Sequence, residues 1–265
     1  MRKCFIILFL LLVVCFVANA QNDTIMVDST LNAADLQINS DTTNIRQPSA
    51  FVQSWRRPCT DVSVHKFRAT GLIAPILLFS AGATIAFTPK LNTSIDFEFR
   101  NLMQRNGHKH IFFEDYVVCL PAVATYGLNL CGLKGKHGYR DLTTLTAASY
   151  IIAYGIALPM KYGIDRMRPN GDHFSFPSGH TIAAFTGAEI LRREFKDYPV
   201  VGIVGYVVAA GVGFMRIYNN KHWVSDVLAG AGIGILSTSI TYWLASYINS
   251  NKEARKKRKT QRADR

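Results

Sequence analysis

Three short polar stretches, set within an otherwise apolar part of the chain, decide how this sequence folds and what it can bind. Residues 161–169 read KYGIDRMRP, residues 177–180 read PSGH, and residues 216–226 read RIYNNKHWVSD. From their side chains we select three cations, Lys161, Arg168 and Arg216, together with two histidines, the carboxylate of Asp226 and a Ser-Gly turn at a predicted helix start. This equipment is suited to holding a phosphate group and transferring it to a histidine.

The first stretch places two cations seven residues apart. On a helix, Lys161 and Arg168 would share one face. Pro169 disfavours helical geometry at Arg168 and so predicts a helix end there. The Arg168 guanidinium can grip two phosphate oxygens, and Lys161 adds a compact point charge. A basic flank at a membrane interface is the alternative interpretation of these residues.

The second stretch predicts the start of a helix. Ser178 is placed as the N-cap of an apolar helix running from about residue 179 to residue 193. The first backbone N–H groups of such a helix favour an anion, and Gly179 allows close approach of the backbone. His180 would then lie in the first turn, beside the same anion. An ordinary capped helix with a surface histidine is the alternative.

The third stretch pairs a histidine with a carboxylate. His222 and Asp226 are four residues apart and would be neighbours on a helix. The carboxylate can hold one ring nitrogen as N–H, which leaves the other lone pair free to attack. Arg216 is predicted at the end of the preceding apolar helix, where the alternative role is that of an interfacial anchor.

In this order, the three stretches resemble the pattern of the type-2 phosphatidic acid phosphatase (PAP2) family, which shares its site with vanadium haloperoxidases and bacterial non-specific acid phosphatases. The family pattern is K-x6-R-P, then P-S-G-H, then S-R-x5-H-x3-D. The chain departs from it at Met215, where the family usually has serine. The resemblance covers about residues 71–245 and implies a PAP2-like helical bundle.

The resemblance also implies roles for individual residues. His222 is the nucleophile that forms a phosphohistidine, Asp226 orients it, and His180 protonates the leaving oxygen and then activates water. Phosphate binding is implied for Lys161, Arg168, Ser178, the Gly179 amide and Arg216. The sequence contains no Cys or carboxylate cluster with metal-ligand spacing, so we expect a metal-independent enzyme without a cofactor.

Composition indicates a membrane protein with basic flanks. Of the 265 residues, 49% are hydrophobic, and the net charge is +12. The apolar residues fall in long blocks. The last fourteen residues carry eight Lys or Arg against two acids, or +6, so half of the basicity is a tail and does not indicate a nucleic-acid surface.

The same distribution divides the chain into four parts. Residues 1–20 have the layout of a secretory signal peptide, for which an uncleaved anchor is the alternative. Residues 21–69 are predicted to be a disordered or interfacial linker. Residues 70–248 form the phosphatase-like domain, and residues 249–265 form a basic tail.

The predicted fold class is all-α. The six apolar helices are predicted at residues 71–87, 116–133, 142–160, 180–191, 200–215 and 227–245. Recurrent Gly and Ala favour close helix packing in a bilayer, but several segments fall short of the ~20 residues that span it, so a soluble bundle remains an alternative. Residues 90–110 are interpreted as a solvated loop, with an amphipathic cap over the site as the other reading.

Two features of the sequence predict opposite sides of the membrane for the C-terminus. A cleaved signal peptide places residue 21 outside, and six crossings would return the C-terminus outside, whereas the basic tail predicts a cytoplasmic C-terminus. Either one segment is interfacial or re-entrant, with residues 71–87 as the candidate, or the tail is periplasmic. Family analogy favours a bacterial inner-membrane protein whose site faces the periplasm.

The expected function is hydrolysis of a lipid phosphate at the membrane. The candidate substrates are phosphatidate, phosphatidylglycerol phosphate, undecaprenyl pyrophosphate and a lipid A phosphate. A soluble periplasmic non-specific acid phosphatase, a vanadate-dependent haloperoxidase and a non-catalytic transporter or scaffold are the alternatives. No nucleic-acid partner is expected.

Overall fold

The computed structural model describes residues 70–105 and 113–263. The predicted signal peptide and linker lie outside these residues. Every regular element in the described ranges is helical, so the all-α prediction is confirmed.

Eight helices follow one another along the described chain. They are α1 (Thr70–Phe87), α2 (Pro89–Gln104), α3 (Glu114–Val117), α4 (Leu120–Leu130), α5 (Tyr139–Ile164), α6 (Gly179–Glu194), α7 (Pro199–Tyr218) and α8 (Val224–Ala263). Within α2, the stretch Asn92–Phe97 is a π-helix. Such widened turns often accompany functional sites.

Three boundaries differ from the sequence-based prediction. The expected helix at 116–133 is divided into α3 and α4, and α4 has a proline in its first turn, a position that suits a helix start. The expected loop at 90–110 is helical as far as Gln104. The basic tail is continuous with α8, which runs for 40 residues.

Two helices, α6 and α8, form the centre of the bundle. Helix α8 packs against α1, α5 and α6, and α6 also packs against α4 and α7. Glycines set the closest approaches: a Cβ at Gly232 would lie 2.6 Å from Pro75 O and from Phe79 N in α1. The α1–α8 contact therefore depends on small residues, as in bilayer-embedded bundles.

Three of the described helices are long and apolar enough to cross a membrane: Tyr139–Ile164, Pro199–Tyr218 and Val224–Lys252. The pair Gly71–Phe87 and Pro89–Gln104 passes the same test jointly but bends by 91° at its junction. It would add a fourth crossing if it is one broken span. The described residues therefore provide fewer crossings than the six apolar segments.

The alternating helix directions bring the three signatures to one end of the bundle. That end holds the C-termini of α5 and α7 and the N-termini of α6 and α8. The Ser178 amide at the start of α6 donates to Asp226 O in α8, at 3.1 Å. The basic end of α8 lies some 40 residues away, about 60 Å along a straight helix.

Candidate active site

His222 and Asp226 meet at the start of α8. His222 lies in the turn before the helix and Asp226 in its first turn, so the pair does not share a helical face as expected. His222 Nδ1 nevertheless lies 3.5 Å from Asp226 Oδ2, and both side chains are buried. The Trp223 amide donates to Asp226 Oδ2 at 2.9 Å, a capping contact that fixes this turn.

Two further donors hold the Asp226 carboxylate. Ser175 Oγ donates to Oδ2, and Arg166 Nη1 donates to Oδ1 at 2.7 Å. A carboxylate with this many donors is favoured in its ionised form. His222 Nδ1 faces this anion, which leaves Nε2 as the ring nitrogen available for attack.

Behind this pair lies a network of polar side chains that was not predicted from the sequence. Arg166 Nη2 donates to Asp96 Oδ2 at 2.8 Å, and Arg166 Nη1 donates to Ser225 Oγ at 2.7 Å. Ser225 donates to Asp96 through its hydroxyl at 2.6 Å and through its amide at 3.0 Å. Asp96 comes from the π-helical stretch of α2, so the bent helix pair contributes directly to the site.

Lys161 and Arg168 both reach the site, but not from one helix. Helix α5 ends at Ile164, where Asp165 adopts a left-handed conformation (φ 42°). The prediction that the two cations share a helical face is therefore wrong. Arg168 lies in the following loop, and its amide donates to Asp172 O at 2.7 Å. Lys161 Nζ donates to Phe174 O in the same loop, at 2.8 Å.

Arg216 lies at the end of α7, as predicted, and is anchored by an unpredicted acid. Its Nη1 donates to Glu114 Oε1 at 2.9 Å. Glu114 is fully buried and also accepts hydrogen bonds from Asn219 Nδ2 at 2.8 Å and Lys221 Nζ at 2.9 Å. The guanidinium is therefore fixed on one side before any ligand binds.

The three predicted cations form one electrostatic group. Lys161 lies close enough to Arg168 and Arg216 for their positive charges to act on its ammonium group. Among the described residues, Arg168 Nε and Arg216 Nε are buried donors without a hydrogen-bond partner. Buried donors are normally satisfied, so these two point to an anion as the natural ligand of the cluster.

Helix α6 starts where it was predicted to start, although the Ser178 side chain makes no capping hydrogen bond. Ser178 is its N-cap and is fully buried, and its Oγ accepts a hydrogen bond from Thr181 Oγ1 at 2.9 Å. A Cβ at Gly179 would meet nothing within 4 Å. The first turn is therefore open on this side, where its backbone N–H groups can donate hydrogen bonds to an anion.

His180 lies in the first turn of α6 and is partly exposed. Its Nε2 is 2.8 Å from Asp115 Oδ1. Burial, aided by the Arg216 charge, lowers the pKa of His180 below its ordinary value, while Asp115 and Glu114 oppose this shift. An imidazole in this position can give up or take up a proton.

His222 is held in its neutral form. Burial lowers the pKa of His222 to about 4, against the opposing effect of Asp226, and Arg216 and Arg168 add to the decrease. A neutral imidazole keeps a lone pair on Nε2. The arrangement therefore combines a neutral imidazole, a second histidine in contact with a carboxylate, and a group of cations with unsatisfied donors.

Within the described residues, no group of three or more His, Cys, Asp or Glu side chains is arranged to hold a metal ion. The donor set around the site consists of cations and amides instead. Such donors can stabilise the equatorial oxygens of a transferring phosphoryl group by charge and hydrogen bonds.

Part of the chain is similar to a known protein family. Residues 142–250 match the model of the PAP2 superfamily. The chain is 34% identical over 145 residues to a lipid A 1-phosphatase of Porphyromonas gingivalis, covering 54% of this chain and 33% of that protein.

Two further relatives are phosphatases by name. Phosphatidylglycerophosphatase B of Bacillus subtilis is 34% identical over 91 residues, which cover 29% of this chain and 45% of that protein. An undecaprenyl-diphosphatase of Sulfolobus acidocaldarius is 30% identical over 107 residues, which cover 36% of this chain and 51% of that protein. The matches thus span between a third and about half of these relatives' lengths.

The stretch that matches the family model can be compared with the residues of the site. The matched stretch contains all three signatures. Asp96, Glu114 and Asp115 lie outside it. Residues 142–250, which hold all three signatures, therefore match the PAP2 superfamily.

Proposed function

We propose that this protein is a metal-independent phosphatase that hydrolyses a lipid phosphate through a phosphohistidine. One observation carries the proposal: neutral His222, backed by Asp226, lies at the same end of the bundle as Lys161, Arg168 and Arg216. Phosphoryl transfer requires mainly positioning and charge neutralisation, and this cluster supplies both.

The reaction follows from the positions of these groups. The three cations and the first amides of α6 hold the phosphate oxygens. His222 Nε2 forms a bond to phosphorus as the bond to the leaving oxygen breaks, and His180 gives that oxygen a proton. Water then attacks phosphorus and loses a proton to His180, while the bond from phosphorus to His222 breaks.

Among the four candidate substrates, we place a lipid A phosphate first. One relative, matched over 145 residues, is a lipid A 1-phosphatase. The long apolar helices support a substrate drawn from a bilayer, because the site lies at one end of helices long enough to cross one. Phosphatidate, phosphatidylglycerol phosphate and undecaprenyl pyrophosphate remain in the test panel.

We further propose that the site faces the periplasm from the bacterial inner membrane. Helix α8 begins at the site and ends in the basic tail, so the two lie at opposite ends of the bundle. The loop before α5 and the end of α6 also place Lys134, Lys136 and Lys196 away from the site. Basic loops favour the cytoplasm, which supports an outward-facing site.

A reporter fusion tests this orientation. Alkaline phosphatase fused after Arg265 is expected to be inactive, and a fluorescent protein at the same position is expected to fluoresce. Active alkaline phosphatase at the C-terminus would place the tail outside and reverse the proposed orientation. Release of the mature protein without detergent would favour the soluble acid phosphatase.

A substrate panel tests the activity. Phosphate release from the four lipids is measured for the wild type and for His222→Ala, in EDTA and with added vanadate. We expect turnover by the wild type, greatest on lipid A phosphate, with EDTA harmless and vanadate inhibitory. We expect near-complete loss in His222→Ala. A labelled, acid-labile phosphoenzyme should form in the wild type only, and turnover retained by His222→Ala would remove the proposed nucleophile.

A further inference from the structure

An acidic side chain from outside the three signatures contacts the histidine at the start of α6. Asp115 lies in α3, and its Oδ1 is 2.8 Å from His180 Nε2 and 3.5 Å from Arg216 Nη1. The Asp115 side chain is 57% exposed, whereas its neighbour Glu114 is fully buried and already paired with Arg216. Asp115 is therefore not needed to anchor Arg216, and its shorter contact is with the imidazole of His180.

We propose that Asp115 is the positioning residue of His180: it keeps a proton on Nε2 and leaves Nδ1 as the nitrogen that exchanges a proton with the substrate. This inference rests on the proposed phosphatase function and extends it to a residue outside the family match. A carboxylate hydrogen-bonded to one ring nitrogen fixes the tautomer and orientation of a histidine and stabilises its imidazolium form.

The proton balance of both half-reactions is then defined. In the first, the His180 imidazolium gives its Nδ1 proton to the leaving oxygen as the bond from that oxygen to phosphorus breaks. In the second, water attacks the phosphorus of the phosphohistidine, and the neutral Nδ1 takes the proton that the water loses. The Nε2 proton stays in place throughout, because Asp115 accepts its hydrogen bond.

Three charged groups face His180, and they act in opposite directions. Arg216 disfavours the imidazolium, whereas Asp115 and Glu114 favour it. Glu114 divides its charge among three donors. Asp115, in direct contact with the ring, is therefore the group that keeps a useful fraction of His180 protonated against burial. Loss of its charge should impair proton donation more than phosphate binding.

The test compares Asp115→Asn with Asp197→Asn, which makes the same change at an exposed carboxylate near the opposite end of α6. Each variant is assayed on a lipid phosphate, whose leaving alkoxide needs a proton, and on p-nitrophenyl phosphate, whose leaving group departs without one. For Asp115→Asn we expect kcat on the lipid to fall about 10- to 100-fold, with a much smaller loss on the aryl ester. The alkaline limb of kcat/KM should move to lower pH, and Asp115→Glu should restore part of the rate.

Two additional measurements test the link between Asp115 and His180 separately from any effect of the substitution on folding. The ring signals of His180, titrated by NMR in detergent, should show a lower pKa in Asp115→Asn than in the wild type or in Asp197→Asn. In a His180→Ala background, Asp115→Asn should cause no further loss, because the two residues act as one unit.

Clear outcomes would overturn the proposal. Equal losses on both substrates with an unchanged alkaline limb would reduce Asp115 to a structural role. Tighter vanadate binding with undiminished kcat would mean that Asp115 only occupies the position of the anion. Failure of the phosphatase function itself would appear elsewhere, as a wild-type enzyme inactive on both substrates or as turnover retained by His222→Ala, and would remove both proposals.

Discussion

Arg166 joins two carboxylates that come from distant parts of the chain. Its guanidinium donates to Asp226 Oδ1 at 2.7 Å and to Asp96 Oδ2 at 2.8 Å. Both acids are buried, and the guanidinium also lies 5.6 Å from the centre of the Trp223 ring. The position of the acid behind His222 thus depends on a bent helix pair outside the family match.

The first prediction concerns this dependence. Replacing Asp96 by Asn removes the charge opposite Arg166 and leaves a part-buried guanidinium with one carboxylate partner. We expect kcat to fall about 10-fold or more with KM little changed, because Asp226 loses its fixed orientation. We also expect the free energy of unfolding to fall by about 3 kcal/mol, the cost of breaking a buried pair.

The measurements are steady-state kinetics and denaturant unfolding in detergent. Asp141→Asn is the matched control, because Asp141 is an exposed carboxylate at the opposite end of α5. Wild-type kcat in Asp96→Asn would show that Arg166 and Ser175 suffice to hold Asp226.

The second prediction is a bell-shaped pH dependence of kcat/KM with an acidic optimum. His222 must be neutral to attack, and its pKa is lowered to about 4 by burial, so activity should fall as the pH drops toward that value. His180 must be protonated to act as an acid, and its pKa is lowered from 6.5, so activity should fall again below pH 6.5 as the pH rises.

The substrate has its own ionisation, because the second pKa of a phosphate monoester is about 6. Profiles are therefore measured with several esters of different second pKa, so that a limb set by the enzyme stays fixed while one set by the ester moves. An optimum above pH 8 for every ester would contradict the assigned roles.

The third prediction concerns the packing that supports the start of α6. A Cβ at Gly230 in α8 would lie 2.8 Å from Ser178 O and 3.2 Å from Thr181 Cβ. Gly230→Ala should therefore displace the first turn of α6 and weaken vanadate binding. Small displacements of a binding group reduce rates strongly, so we expect kcat/KM to fall by about 10- to 100-fold.

Gly211→Ala is the control for this change. It introduces the same methyl group in α7, where a Cβ would meet nothing within 4 Å. It should leave vanadate affinity unchanged. Equal affinities in both variants would show that α6 can shift without cost to the anion site.

The residues of the site could be predicted from the sequence, but the residues that hold them in position could not. Ser178 and Gly179 could be placed because capping is a local property of the helix start. The end of α5 could not, because a left-handed Asp165 ends the helix before Pro169 has any effect. The sequence therefore predicted which side chains lie at the site, but not the backbone conformation that brings Arg168 there.

The supporting acids were missed for a related reason. Asp96 contacts Ser225 across 129 positions, and Glu114 contacts Arg216 across 102. Pairings at such separations are tertiary contacts that no local spacing encodes. The available signal was the presence of single acids beside apolar segments, since buried charges in such segments require partners. Arg166 is likewise a charged residue beside an apolar segment, within the first stretch, but its role depends on its contact with Asp96.

The fourth prediction tests whether Arg216 needs its planar guanidinium. Its Nη1 is occupied by Glu114, while its Nε has no partner among the described residues, so the side chain can serve an acid and a phosphate at once. A lysine ammonium is a single point charge and cannot present this fork. Arg216→Lys should therefore lose about 100-fold in kcat/KM, the magnitude typical of removing one transition-state donor. Its thermal stability should change little, because Glu114 keeps Lys221 and Asn219 as donors.

Arg140→Lys, at an exposed position at the start of α5, makes the same change away from the site and should behave as the wild type. Catalytic efficiency and thermal unfolding are measured for both variants. Because the total charge is conserved, a loss confined to Arg216→Lys must come from geometry. Wild-type efficiency in that variant would mean that charge alone, without the shape of the guanidinium, stabilises the transferring phosphoryl group.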